Sequence, residues 1–196
     1  MRLPQGWRIR LNAFIRKHKS PRMLRGYLDP TGSFKPDTRV GDTCFMHRPE
    51  NIYIGDNVYV GHFTLLDGTE RLTIGEGTQI SAWAGVLTHS SHIAIRLFGR
   101  HYLEVPEGEK KGYRASPVMI GRYVFVGVGA KVLSGVTIGD GALVTPGSIV
   151  RQDVAPFMIV SGDPAVVVGD TRDLDRPYLE EDARLRDWYA EWQEAD

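Results

Sequence analysis

The chain holds one cysteine, Cys44, in 196 residues, so it cannot form an internal disulfide and suits a reducing compartment. It has no surplus of charge: 24 Lys and Arg balance 24 Asp and Glu, which argues against nucleic acid as the main partner. No apolar run approaches membrane-span length, and the start, MRLPQGWRIR, lacks the apolar core of a signal segment. A cytoplasmic protein is the expectation. Helical spacing of apolar residues is also missing from the middle of the chain. A different period takes its place.

From Met119 to Ala155 the sequence reads in sixes. Ile120, Val126, Val132, Ile138, Val144 and Val150 recur at a six-residue interval. Four places after each stands a small or β-branched residue: Val124, Ala130, Val136, Ala142, Ser148 and Val154. A helix would repeat every three or four residues and an amphipathic strand every two. One bulky aliphatic in six, with a small partner at plus four, fits a chain wound into a triangular prism. Each hexad makes one short flat face, the aliphatic points inward, and the small residue fits near the corner. Three hexads close a coil, so Ile120 should stack on Ile138, and each coil covers only its neighbours.

This pattern resembles the left-handed parallel β-helix of the hexapeptide-repeat acyltransferases. The resemblance, not the spacing, implies the left hand, which departs from the usual right-handed crossover. The expected fold is therefore all-β, a left-handed parallel β-helix with an extruded loop at about 89–117 and flanking helices. We divide it into a basic helical cap at 1–39, the β-helix at 40–170 and an amphipathic helix at 171–196.

Residues 2–39 are basic, with Trp7, Leu11, Phe14, Ile15 and His18 at helical spacing. Such a helix would cover the open end of the prism or pack on a neighbouring subunit; touching an anionic membrane is the alternative. Pro21, Pro30, Gly32 and Pro36 mark turns on an irregular approach to the first coil. Cys44 falls in the small-residue slot of the hexad led by Val40, which predicts a buried structural thiol. Ile54, Val60 and Leu66 lead the next hexads. The phase then slips by two residues through Gly68–Arg71 and resumes at Ile74, Ile80 and Val86. A bulged corner is expected near Asp67, and departures of this kind commonly lie on a binding face.

The repeat stops at Leu87 and returns at Val118. A break of about thirty residues must leave the prism as a loop, either a disordered flap or a cover for a site. Its first residues are Thr88-His89-Ser90-Ser91-His92. They are similar to the place where the galactoside and maltose O-acetyltransferase branch carries its catalytic histidine, the first of a close pair at the mouth of an extruded loop. The resemblance makes His89 the general base. Acetyl transfer from a thioester to a hydroxyl requires deprotonating a poor nucleophile, which an imidazole suits, with its other nitrogen held by a carbonyl or carboxylate. His92, His62 and Asp67 fall near acceptor-contacting positions by the same match, with Gly61-His62 standing where relatives show a polar amide.

The resemblance also places acetyl-CoA along the later coils, in the groove between two prisms of a homotrimer. The amides around Gly127, Val128 and Gly129 would face the thioester and hold the tetrahedral oxyanion. Pro146, Arg151 and Gln152 match positions along the pantetheine and nucleotide, Arg151 as a phosphate contact. Relatives often have serine where Val128 stands, and Lys or Arg where Val166 follows Gly162, Pro164 and Ala165. No metal is expected. The stripe Tyr178, Leu185, Trp188, Tyr189 and Trp192 predicts a packing helix, whose acidic face could meet the basic N-terminal segment.

What the resemblance implies is acetyl-CoA-dependent O-acetylation of a saccharide, in lipopolysaccharide, capsule or other surface-glycan assembly. N-acetylation of an amino-sugar nucleotide is the alternative. A zinc site of the γ-carbonic-anhydrase kind would need converging histidines, for which His62, His89 and His92 are the available residues.

Overall fold

A computed structural model of the chain describes residues 5–194. Its centre is a prism of three parallel sheets that the chain visits in turn. The first face stacks the strands Phe34–Gly41, Tyr59–Val60, Gln79–Ile80, Phe125–Val126, Leu143–Val144 and Met158–Gly162. The second stacks Phe45–His47, Leu65–Asp67, Gly85–Val86, Lys131–Val132 and Ile149–Val150. The third stacks Ile52–Ile54, Leu72–Ile74, Val118–Ile120 and Thr137–Ile138.

The register follows the hexads. Ile120 pairs with Ile138, Val126 with Val144 and Val132 with Val150, each partner three hexads on. The hexad leaders form the core: Val60, Leu66, Ile80, Val86, Val126, Val132 and Val144 are all 0% exposed. Burying each such side chain contributes about 1.5–3 kcal/mol, and no single coil could bury them alone. Small-slot hydroxyls inside this core find partners. Thr78, wholly buried, donates to the Gly121 carbonyl at 2.7 Å and accepts from the Val124 amide at 3.0 Å. Cys44 packs half-buried against the core, and burial pushes its thiol up to about 11, as a structural role requires.

The long break costs the prism nothing in register: Leu72–Ile74 pairs directly with Val118–Ile120 across it. The intervening segment leaves and returns through a short antiparallel ladder, His89 opposite Ala115 and Ser90 opposite Arg114. Between these it folds as a short helix, Ala94–Phe98, and turns of 3-10 helix. Arg48 on the prism pairs with Glu107 of the loop at 3.6 Å.

Both ends differ from expectation. The N-terminal helix, α1, is present at Gln5–Lys19, yet Trp7, Ile9, Leu11 and Phe14 are 45% or more exposed, so they are not buried on the chain's own first coil. Side-chain placements of Ile15 and His18, the other members of the expected stripe, lie outside the described residues. The approach to the first coil is not irregular but a hairpin, β1 (Met23–Leu28) with β2 (Phe34–Gly41). Asp29 organises its turn, accepting from the Thr31 and Ser33 amides at 2.9 Å. Leu24, Leu28 and Phe34 remain exposed, so no half-buried alternation marks these strands in the sequence.

At the other end, Ala165–Asp170 folds back antiparallel on Met158–Gly162. The expected single helix is two, Thr171–Glu181 and Ala183–Glu194. Asp182 adopts an extended conformation and its carboxylate accepts from the Arg184 amide, starting the second helix afresh. Among the described residues the acids here pair locally, Asp170 with Arg172, Asp173 with Arg176 and Asp182 with Arg184, rather than with the basic N-terminal segment. Trp192 packs on Tyr123 and Phe157, which fixes the last helix against the prism.

Candidate active site

The two-residue slip puts Asp67 at the end of its strand on the second face, one coil below the point where the loop departs. Its side chain is 3% exposed and saturated with donors. Oδ1 accepts from the Thr69 amide at 3.0 Å and the Thr69 hydroxyl at 2.7 Å. Oδ2 accepts from the Thr88 amide at 2.9 Å and from His89 Nδ1 at 2.6 Å. Burial alone would push this carboxyl up. The hydrogen bonds from the Thr69 and His89 side chains and from the Thr69 and Thr88 amides outweigh it and hold the group at about 2.

An ionised carboxylate only accepts, so Nδ1 of a neutral His89 carries the proton and Nε2 keeps its lone pair. Nε2 has no hydrogen-bond partner among the described residues. The Tyr113 ring from the returning strand of the loop stacks on the imidazole, centroids 5.9 Å apart. The His47 ring, one coil down and in register with Asp67, lies tilted to the imidazole with centroids 6.5 Å apart. The imidazole opens on a groove of about 790 Å³ lined by Ser90, His92, Tyr113, Arg114, Ser134 and Arg151 among others. Such a group, aligned through one nitrogen and open at the other, can take a proton from a hydroxyl or amine in the groove.

The residues singled out in the sequence fall at two corners of the prism. His89, His92 and Arg151 share the groove, with Gln152 next to Arg151 at the same corner. His92 Nδ1 is 2.6 Å from Ser90 Oγ, and Arg151 pairs with Asp163 at 2.9 Å. Asp67 lies beneath the imidazole instead of contacting an acceptor, because every lone pair it could offer is spent inside the protein. At the opposite end of the second face runs a column in which His62, Ala82 and Val128 each give a carbonyl to the amide of the coil above. Pro146 continues it. His62 is thus distant from the groove within one chain, and its ring meets Thr43 Oγ1 at 3.1 Å.

The expected oxyanion donors divide. The Gly127 amide donates to Val144 at 2.8 Å and the Gly129 amide to Ala82 at 3.0 Å, so the coil ladder uses both. Among the described residues the Val128 amide has no such partner, and its side chain is 48% exposed. His47 and Tyr113 were not singled out from the sequence. Counting one coil back from Asp67 leads to His47; Tyr113 reaches the imidazole only through the return of the loop.

No group of three or more His, Cys, Asp or Glu among the described residues could hold a metal ion, and His62 does not converge with His89 and His92.

Residues 117–152 match the family model "Bacterial transferase hexapeptide (six repeats)". The galactoside O-acetyltransferase of Escherichia coli K12 is 28% identical over 154 residues, 74% of this chain and 70% of that protein. The chloramphenicol acetyltransferase of Agrobacterium fabrum is 32% identical over 133 residues, 64% of each chain. Among solved structures, a maltose O-acetyltransferase from Clostridium difficile 630 aligns with a TM-score of 0.55 at 23% identity, over 66% of this chain and 64% of that one, a likeness of fold. Residues 117–152 thus carry a bacterial-transferase hexapeptide repeat, and the repeat together with this neighbour implies the left-handed winding. It spans 59% to 70% of the length of the curated relatives it matches over most of its coils.

Proposed function

We propose that this protein is an acetyl-CoA-dependent O-acetyltransferase whose acceptor is a saccharide hydroxyl. The observation that carries the reading is the Asp67–His89 pair, 2.6 Å apart at the mouth of the groove where a hexapeptide repeat is interrupted. Nε2 of His89 takes the proton of the acceptor hydroxyl as its oxygen attacks the thioester carbonyl. The tetrahedral intermediate then collapses, the C–S bond breaks, and the imidazolium returns the proton to the departing CoA thiolate. Asp67 stabilises the imidazolium and holds its tautomer without being protonated itself.

Within one chain the column of Val128 and Pro146 stands at the far end of the face from the groove. A homotrimer would bring that column from one protomer to the groove of the next, completing the site with the free Val128 amide as oxyanion donor. Exposed apolar residues along that face and column, Phe45, Phe63, Trp83 and Val128, support this assembly. Phe63 and Trp83 stack with centroids 4.6 Å apart. Acetyl-CoA would lie in the seam, with Arg151 toward its phosphates. A cytoplasmic enzyme of surface-glycan assembly is the setting we favour, with the exposed apolar residues of the basic helix α1 available to a membrane or a neighbouring protomer.

The test is release of CoA thiol from acetyl-CoA in the presence of sugar acceptors, with the product located by mass spectrometry. Acetylation of hydroxyls is expected, and His89→Ala is expected to abolish it while leaving the melting curve close to that of the wild type. Activity retained by His89→Ala would overturn the mechanism; acetylation confined to amines would move the reading to N-acetyl transfer.

A further inference from the structure

We propose that the acceptor carries an anionic group, a carboxylate or a phosphate, and that Arg114 is the residue that holds it. The proposal rests on the acetyl-transfer reading and concerns the same groove. Among the described residues no Asp or Glu lines that groove, but two arginines do, Arg114 and Arg151. Arg151 pairs with Asp163 at 2.9 Å and is the residue already assigned to the donor's phosphates. Arg114 has no carboxylate within 4.0 Å and no hydrogen bond from its guanidinium among the described residues. Two other cations of the loop are engaged: Arg96 donates to the His92 carbonyl at 2.5 Å, and Lys110 lies over the Tyr102 ring at 4.1 Å.

Position separates this arginine from an ordinary solvated one. The loop's antiparallel ladder pins its backbone opposite Ser90, the residue that follows the base. Its neighbours on either side both meet His89, Tyr113 by stacking on the imidazole and Ala115 by pairing with the backbone. The charge is therefore built into the strand that forms the wall of the groove, not carried on a free stretch of loop. The side chain is exposed in the single chain, where the Tyr113 ring and Leu133 line the groove with it. A guanidinium fork matches two oxygens of a carboxylate or phosphate at once.

The experiment compares methyl glucoside, glucuronic acid and glucose 1-phosphate as acceptors, with KM for acetyl-CoA measured alongside. The wild type is expected to favour at least one of the anionic acceptors in kcat/KM by about tenfold or more, the scale of one charge-assisted pair. Arg114→Ala should bring that ratio toward one, and Arg114→Lys should keep part of it. Titration calorimetry of glucose 1-phosphate and glucuronic acid should show the same loss on Arg114→Ala, independently of turnover. An anionic preference that survives Arg114→Ala would overturn the proposal. So would a variant that raises KM for acetyl-CoA instead, which would assign Arg114 to the donor's phosphates. His89-dependent acetylation of methyl glucoside with no anionic preference would refute this inference and leave acetyl transfer standing. Absence of His89-dependent acetylation, with anions bound no better by the wild type than by Arg114→Ala, would remove both.

Discussion

Replacing Asp67 with Asn changes one atom and tests both the packing and the chemistry. The carboxylate receives two donors at Oδ1 and three at Oδ2, two of the five being fixed backbone amides, Thr69 and Thr88. An asparagine offers one acceptor oxygen, so whichever way its amide turns, its NH2 faces one of those backbone donors in a buried site. The carboxyl is held at about 2 against an ordinary value of 3.8, which corresponds to roughly 2 kcal/mol of folding stability at neutral pH. A depressed folded value means that this contribution is complete above about pH 4 and is lost as pH falls toward 2. Asp67→Asn should therefore lower stability by about 2 kcal/mol at pH 7, a drop in Tm of about 4–8 °C for a chain of this size, and the difference should shrink in acid. Asparagine also permits the wrong tautomer of His89, with the proton on Nε2, so kcat should fall about a hundredfold or more with little change in KM for acetyl-CoA. Thermal melts from pH 2 to 8 and CoA-thiol release at neutral pH read the two effects separately. An Asp67→Asn protein with wild-type kcat would refute the claim that this carboxylate orients the base.

Two further outcomes follow from the prism itself. A Cβ at Gly61 would stand 2.5 Å from the Ala82 amide nitrogen of the coil above, so Gly61→Ala should destabilise the chain by more than about 1 kcal/mol in a denaturant titration, although alanine is ordinarily the more stabilising residue. Trp83, 60% exposed and stacked on Phe63, should lie between protomers; Trp83→Glu is expected to reduce the sedimenting mass from trimer to monomer and to remove activity with it, and an active monomer would contradict the shared site.

Much of the prism was readable from residue order because a six-residue period is a count along the covalent chain. Every leader from Ile54 to Val150 that fits the count is buried, and the slip at Gly68–Arg71 lies at the bulged corner beside Asp67. His89 could be found because it stands where the count fails. Its partners were harder to see. Asp67 reads as an outward turn residue until Thr69, Thr88 and His89 are seen to converge on it, and that convergence depends on the vertical stacking of coils. The Gly127 and Gly129 amides could be assigned as free only by ignoring the same stacking, which consumes both. The hairpin before the first coil escaped because its apolar residues Leu24, Leu28 and Phe34 are exposed and give no alternation to read.

The pairing of Leu72–Ile74 directly with Val118–Ile120 means that the prism does not count the residues between them. Loop closure grows only slowly in cost with length, so this segment can be lengthened, shortened or exchanged while the coils above and below stay joined. Changes of diet and changes of skeleton are thus uncoupled in this architecture. A lineage of such proteins could pass from one acceptor to another by rewriting the side branch that carries Tyr113 and Arg114, with the masonry that holds His89 left as it was.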